Sequence, residues 1–282
     1  MPFKIYVDSR FRQDTGGVQS DSEFSIELPQ PLKVTGRAFV DTCVVPNTFY
    51  TIRANDNDRI HVAETVSGTV HYRIATIAEG QYNVQTLKDV MVDALNTGRN
   101  IPLQYTVTYR PNLNKLEIGT LDQAHSFNIY SKRYLELNPD VWNNAASSQN
   151  QITPSHLMDA GLVTGFSSAT NLLQGNALNP ITAPEMPNLQ PYHQLFLRSS
   201  LGDGFSAIGP DGSSDIIRRI TMTVAPNDIQ VDNHGLPYDS VPVTGTREIS
   251  SLSFRLTDVH GVTVNTNGHH ISFSIIFIEE GE

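Results

Sequence analysis

Apolar and polar residues alternate along two stretches near the end of this chain, between Glu248 and Glu280. The apolar members are Leu252, Phe254 and Leu256 in the first stretch and Ile271, Phe273, Ile275 and Phe277 in the second. A period of two in β-branched and aromatic residues, with Gly and Asn between the stretches, predicts two strands joined by a short loop. Ile276 and Ile278 add apolar residues to the opposite face. The last strand is therefore predicted to be buried on both sides, as an inner strand of a β-sandwich.

Similar short alternating segments recur along most of the chain. They are residues 3–7, 24–28, 34–45, 49–53, 59–64, 69–77, 105–109, 116–118, 127–129, 194–198 and 216–224. Pro29 and Pro31 are predicted to end the second of them, because proline cannot donate to a strand ladder. With turn residues between the segments, the count is roughly ten to twelve strands. The predicted fold is all-β: an antiparallel β-sandwich of the single jelly-roll type, with one short helix and a long insertion.

One segment has a helical rather than a strand period. Between Gln81 and Gly98, apolar residues recur at steps of three and four. Asn83 is a suitable N-cap, and Gly98 is suited to the position just past the end of the helix. The spacing predicts one helix of about three or four turns.

The segment from Tyr130 to Pro191 differs from the rest. It contains Trp142, the only tryptophan, together with several prolines and a run of small and carboxamide residues at 143–151. Loops longer than about 15 residues are uncommon unless they are functional or disordered. We expect residues 1–130 and 192–282 to form one jelly-roll domain, and 131–191 to form a surface insertion with little regular structure. A further loop is predicted from Pro226 to Gly245.

The composition limits the class of protein. A length of 282 residues suits one large all-β domain with insertions, or two small domains. Charged residues make up 17%, a low share that suits a surface committed to neighbours or loops. The formal net charge of −10 argues against nucleic-acid binding, which requires a basic face.

Features of secretion and membrane insertion are not expected. Cys43 is the only cysteine and lies in an apolar run, so it is interpreted as a buried small hydrophobe. The first residues lack the apolar core of a signal peptide, and no apolar run approaches about 18 residues. We expect folding in a reducing, cytosol-like compartment.

Three clusters could in principle bind a metal ion. Asn55–Asp58 offers oxygen ligands, but it lacks the Gly and the distal Glu of a calcium loop. Asp211–Asp215 is interpreted in the same way, and both are predicted to be solvated turns. His260, His269 and His270 form the third cluster, but adjacent residues on a strand point to opposite faces, and no Cys or Glu lies at a ligand spacing.

Motifs for catalysis are missing from the sequence. No Gly-X-Ser-X-Gly elbow occurs, and the glycine-rich stretches at 202–204 and 209–212 lack the Lys-Ser/Thr of a phosphate loop. The basic pairs Lys132–Arg133 and Arg218–Arg219 are interpreted as surface or subunit-contact charges. No catalytic, cofactor-binding or metal-binding residue is predicted, and the chain is not expected to be an enzyme.

A set of spaced motifs at the two ends resembles a known family. The motifs are IYVDSR at 5–10, FSIELP at 24–29, VVPNTFY at 44–50, GQY at 80–82, LTDVHG at 256–261 and NGHHISF at 267–273. They resemble minor capsid (penton-type) proteins of polinton-like viruses, virophages and related large DNA viruses of eukaryotes. The resemblance implies a single jelly roll in the virion that forms homopentamers at icosahedral vertices. It also implies contact with a double-jelly-roll major capsid protein and an insertion exposed outside.

Three functions remain open on the sequence. The first, which we favour, is a structural virion protein at the vertex, with the segment from Arg10 to Ser22 as an exposed arm that reaches under a neighbour. The second is a jelly-roll binding module that holds a glycan or a host receptor, with Trp142, Asn143 and Asn144 as the contact residues. The third is an enzyme on a β scaffold, which would require a metal or an activated nucleophile.

Overall fold

The computed structural model describes residues 3–13, 20–99, 104–121, 123, 125–138, 158–201, 208–210, 212–233 and 240–278. In chain order the strands are β1 (Phe3–Asp8), β2 (Glu23–Pro46), β3 (Arg59–Val66), β4 (Thr69–Thr76), β5 (Tyr105–Arg110), β6 (Lys115–Thr120), β7 (Ser126–Tyr130), β8 (Leu173–Gly175), β9 (Ile181–Thr182), β10 (Gln194–Ser199), β11 (Ile216–Thr221), β12 (Ile229–Asp232), β13 (Val241–Thr257) and β14 (Ser272–Ile278). The helices are α1 (Val84–Asn96), α2 (Lys132–Leu137) and α3 (Gly161–Thr164). Among the described residues, no helix combines the length and the apolar character needed to cross a membrane.

The chain forms two compact units. One, the sandwich unit, consists of Met1–Phe49 and Tyr192–Glu282, and the other, the central unit, of Tyr50–Pro191. Residues 50–130, which the sequence places with the jelly roll, thus group with 131–191. The reason lies in the apolar core of the central unit, which joins side chains such as Val62 and Leu116 to Val163 and Ile181.

The strands of the sandwich unit form an antiparallel sheet in the order β1-β14-β2-β13-β10-β11, and β12 also pairs with β2. The first strand pairs with the last, with Phe3 opposite Phe277 and Asp8 opposite Ser272. The predicted inner position of the last strand is confirmed, because β14 lies between β1 and β2. The predicted fold class, an all-β antiparallel sandwich, is likewise confirmed.

The predicted hairpin of the last two strands is wrong. β13 and β14 do not pair with each other, and each pairs with a different part of β2. Phe254 of β13 lies opposite Phe24, whereas Phe273 of β14 lies opposite Cys43. At 24 residues, β2 is long enough to pair with β13 along one part of its length and with β14 along another. The sheet curls, so that the part around β13 and the part around β14 pack on one apolar core.

The prediction that Pro29 and Pro31 end a strand is also wrong. β2 continues through both prolines. On β13, the register shifts between Ile249, opposite Leu32, and Ser251, opposite Glu27. The four β2 residues between these partners face a single residue of β13, so the ladder requires no N–H from the prolines. Nearby, Gly36 adopts a φ of 92°, a left-handed conformation that glycine adopts at little cost.

The central unit contains two antiparallel sheets, in the orders β4-β3-β7-β8 and β5-β6-β9, which share their core with α1. The predicted helix is confirmed: the Asn83 side chain accepts hydrogen bonds from the backbone N–H groups of Gln85 and Thr86, at 2.9 and 3.0 Å. Gly98, just beyond its end, has a φ of 67°. Within residues 131–191, the structure adds the two short helices α2 and α3 and the strands β8 and β9.

A buried polar network links several elements of the central unit. One carboxylate oxygen of Glu64 on β3 accepts from Arg73 Nε at 2.7 Å and from the Tyr105 hydroxyl at 2.9 Å. Arg73 also donates to the carbonyl of Leu95, in the last turn of α1. Burial raises the pKa of the Tyr105 phenol above its ordinary value. Because its charge is paired and hydrogen-bonded, this network is tolerated in the interior.

Candidate assembly surface

The β1 strand lies at one edge of the sheet in the sandwich unit. Large apolar side chains are exposed on it and just after it: Phe3 is 48%, Tyr6 79% and Phe11 78% exposed. Ile5 and Val7, on the opposite face of β1 from Tyr6, are buried in the core. An edge strand with exposed aromatic residues is a surface on which another chain can dock.

A groove of about 610 Å³ runs beside this strand. We call it the β1 groove; its lining includes Lys4, Tyr6, Asp8, Phe11, Leu28, Thr42, Val44, Ser272 and Ser274. The strand register accounts for this set, since Tyr6 lies opposite Ser274 and Ser274 opposite Thr42. Side chains that are paired across an antiparallel sheet share one face. These three are therefore on the outer face of the sheet, and all of them are uncharged.

Four of the charged groups beside the β1 groove form two ion pairs, and Glu27, which also lines the groove, is exposed. Lys4 Nζ donates to Asp41 Oδ2 at 2.6 Å, and Arg10 Nη2 donates to Asp8 Oδ2 at 2.6 Å. The hydrogen bond from Lys4 lowers the pKa of Asp41, and the hydrogen bond from Arg10 lowers the pKa of Asp8. The surface thus carries no net charge from these four groups.

The outer face continues to β12. Asp8, Ser272, Val44 and Val231 form one row across the strands β1, β14, β2 and β12. At this second edge, Ile229 is 60% and Val231 is 52% exposed. The sequence analysis missed β12, because it lies in the loop predicted from Pro226 to Gly245. The alternation of Ile229 and Val231 with Gln230 and Asp232 is the signal that could have located it.

The two described ends of the predicted arm contact the sandwich unit. The backbone N–H of Gln13 donates to the carbonyl of Ser25 at 2.8 Å. Asp21 pairs with Arg12 at 2.5 Å, and its carboxylate lies 2.8 Å from Nδ1 of His270. The intervening residues 14–19 lie outside the described part of the chain.

The Asn55–Asp58 cluster forms a turn in which its side chains act as hydrogen-bond acceptors. Asn57 Oδ1 accepts from the backbone N–H of Arg53 at 2.7 Å, and Asp58 Oδ2 accepts from that of Asn55 at 3.0 Å. Asn55 has a φ of 60°, a conformation that asparagine tolerates. These oxygens therefore stabilise the turn itself.

The other candidate metal ligands do not converge. His260, His269 and His270 are exposed, and all three lie in the connection before β14 rather than on a strand. Within the described residues, no group of three or more His, Cys, Asp or Glu side chains is placed to hold a metal ion. Cys43 is 1% exposed, and burial raises the pKa of its thiol to about 12. Such a thiol is a weak nucleophile at neutral pH.

The basic pairs lie in different environments. Arg133 is exposed and pairs with Glu136 at 3.4 Å on α2, as expected for a surface charge. The interpretation of Arg218 as a surface charge is wrong, because its side chain is only 9% exposed and pairs with Asp232 at 2.7 Å. The neighbouring residue, Arg219, points outward and is exposed. Alternation along β11 separates the two adjacent arginines.

The residues predicted to contact a glycan or receptor, Trp142, Asn143 and Asn144, lie outside the described residues. The same holds for Asp211 of the second acidic turn. At the other end of that turn, Asp215 pairs with Arg198 at 2.7 Å. The sequence analysis did not single out Arg198, which is 2% exposed.

Comparisons with known proteins find matches among solved structures. No family model matches the chain, and no curated protein matches it. The crystal structure of the selenomethionine-labelled mavirus penton protein aligns over 98% of this chain and 99% of that chain, with a TM-score of 0.49 and 8% sequence identity.

Proposed function

We propose that this protein is a structural component of a virion, a penton-type minor capsid protein that assembles with copies of itself through the sandwich unit. The observation that carries the proposal is the outer sheet face between β1 and β12. Across it, uncharged small residues are flanked by the exposed side chains of Tyr6, Ile229 and Val231. A face with exposed apolar residues and paired charges is suited to contact with another protein.

The arrangement suits a closed ring. In a homopentamer each subunit presents one surface to the previous copy and a different surface to the next, so the interface is head-to-tail. β1 and β12 are two separate edges on one unit, and covering them in an assembly would remove edges on which strands could aggregate. The motifs shared with penton-type proteins support five copies at an icosahedral vertex, contact with a major capsid protein and location in the virion.

Native mass spectrometry of the purified protein tests self-assembly. We expect a pentamer for the unmodified chain and a monomer for Tyr6→Glu and Val231→Glu, because each variant places a charge on the outer face. Val262→Glu is the matched control, since Val262 is 58% exposed in the sandwich unit but lies in the connection between β13 and β14, on neither β1 nor β12. The control should remain pentameric, and all variants should keep the far-UV circular dichroism spectrum of the unmodified protein.

A strictly monomeric protein at high concentration that is also absent from purified virions would contradict the proposal. Assembly that Tyr6→Glu and Val231→Glu leave intact would refute the outer face as the interface. A different ring size would retain the structural role and contradict the pentamer.

A further inference from the structure

A second pocket, of about 470 Å³, lies on the sandwich unit, where β2, β13 and β10 run side by side. Its volume is within the range of ligand-binding clefts, roughly 300–1,000 Å³. The lining includes Glu23, Ser25, Arg198, Asp215, Ser253 and Arg255. Neither the resemblance nor the proposed assembly requires this pocket.

The strand register sets these side chains in two rows. Arg255 lies opposite Glu23 on one side and opposite Arg198 on the other, and this forms a charged row. Two residues along the strands, Ser253 lies opposite Ser25, and this forms a hydroxyl row. Side chains paired across the sheet share a face, so both rows face the same side.

The charged row is held rigidly at one end. Arg198 is 2% exposed, donates from Nε to Thr257 Oγ1 at 2.8 Å, and pairs with Asp215 at 2.7 Å. The other oxygen of Asp215 lies 3.7 Å from Arg255 Nη2. Asp215 is thereby fixed between two guanidinium groups while 41% of its side chain stays exposed.

Hydrogen-bonding groups remain available at the pocket. Among the described residues, the hydroxyls of Ser25 and Ser253 have no hydrogen-bond partner. Arg255 is 39% exposed, and its contact with Asp215 is longer than a hydrogen bond. Guanidinium groups only donate, carboxylates only accept, and hydroxyls do both. The pocket therefore offers donors and acceptors side by side, and its two acidic and two basic residues balance in charge.

We propose that this pocket binds a neutral sugar through two adjacent hydroxyl groups. A pair of vicinal hydroxyls can donate to Asp215 and accept from Arg255, which satisfies both charged groups at once. A simple anion would gain from Arg255 but would be repelled by Asp215 and Glu23. The hydroxyls of Ser25 and Ser253 would then contact the remaining part of the sugar ring.

Saturation-transfer NMR with the unmodified protein and a panel of neutral monosaccharides tests this site. Inorganic phosphate and an acidic sugar serve as anionic probes in competition. We expect transfer to at least one neutral sugar, and a loss of affinity of about tenfold or more in Arg255→Ala, because a hydrogen bond to a charged group is removed. The double variant Ser25→Ala/Ser253→Ala should also weaken binding while disturbing the fold less. Ser251→Ala is the control, since Ser251 is exposed on the same strand outside the pocket.

Three results would overturn the proposal. They are the absence of transfer to every neutral sugar, binding that only the anions show, and sugar binding that Arg255→Ala and the double serine variant leave unchanged. Loss of binding in Trp142→Ala alone would also refute this pocket and assign the sugar to the segment around Trp142. Melting temperatures of each variant, measured in parallel, distinguish lost binding from lost folding. None of these outcomes depends on the oligomeric state.

Discussion

Phe254 and Phe273 pack edge to face in the sandwich unit, with ring centroids 4.8 Å apart, although their strands do not pair with each other. Both rings are buried, at 2% and 4% exposure. The contact therefore joins the part of the sheet around β13 to the part around β14, across the core. It is a direct sign that the sheet curls on itself.

Phe254→Ala should destabilise the protein strongly, because it removes a buried aromatic ring and leaves a cavity between the two parts of the sheet. Substitutions of this kind cost about 3–5 kcal/mol in the free energy of unfolding. Val262→Ala, at a 58% exposed position, should change it by less than about 0.5 kcal/mol. Urea unfolding of both variants checks the difference, and equal costs would contradict the described core.

Asp232→Ala should also destabilise the protein, by about 3–5 kcal/mol, because it leaves the Arg218 guanidinium buried without its carboxylate. Arg218 and Asp232 are 9% and 10% exposed and form two hydrogen bonds, at 2.7 and 2.8 Å. In the double variant Arg218→Met/Asp232→Leu, the free energy of unfolding should fall by much less than the sum of the losses in the two single variants.

The exposed pair Arg133–Glu136 provides the comparison for this buried pair. Arg133 is 53% and Glu136 37% exposed, so Arg133→Ala should cost only about 0–1 kcal/mol. If Asp232→Ala costs no more than that in the same urea titration, the burial of the Arg218–Asp232 pair is refuted.

The Lys4–Asp41 pair should make stability depend on pH. The hydrogen bond from Lys4 lowers the pKa of Asp41 below its ordinary value of 3.8, so the folded carboxylate binds its proton less readily than the unfolded one. The stabilisation is therefore present above about pH 4 and is lost as the pH falls through the lowered pKa. The pKa of Lys4 is raised above 10.5 by Asp41, so the stabilisation is also lost when the pH rises through that raised value.

Thermal unfolding of Lys4→Met and of the unmodified protein between pH 2.5 and 9 measures this effect. We expect the unmodified protein to have a slightly higher melting temperature than Lys4→Met at neutral pH, and this advantage in melting temperature should disappear in acid. About 1 M salt should reduce the advantage, because both side chains are partly exposed and salt screens their attraction. An advantage that grows as the pH falls below 4 would contradict the pair.

Cys43 should resist alkylation in the folded protein. Burial raises the pKa of its thiol to about 12 from an ordinary 9.0, and it is 1% exposed. At pH 8 roughly one thiol in 10,000 would be ionised, against roughly one in ten for an ordinary cysteine. Iodoacetamide labelling followed by mass spectrometry should give no adduct in native buffer and complete labelling in urea. Rapid labelling of the folded chain would show that the thiol is accessible.

Local patterns were sufficient to predict most elements. Alternation in segments such as 252–256 and 271–277 determines which residues can line one face of a strand, whatever the strand's partner. The same holds for α1, whose N-cap Asn83 and apolar stripe are local features of the sequence. β12 was missed because it lies in the segment predicted as a loop from Pro226 to Gly245, where the short alternation of apolar and polar residues was not interpreted as a strand.

The sequence by itself determined that the chain is mostly strands, where α1 begins and ends, and that Cys43 is an apolar residue of the interior. Only the tertiary structure decided which strands pair, because strand pairing joins residues far apart in the chain and leaves no local period. Along its length, β2 pairs with β13, then β14 and then β12. The bulge at Pro29 and Pro31 exists only because β13 lies beside them. The same long-range packing buries Arg218 against Asp232 and places Arg255 beside Arg198. The positions of charged residues in the sequence do not specify these contacts, because the fold brings together side chains from different strands.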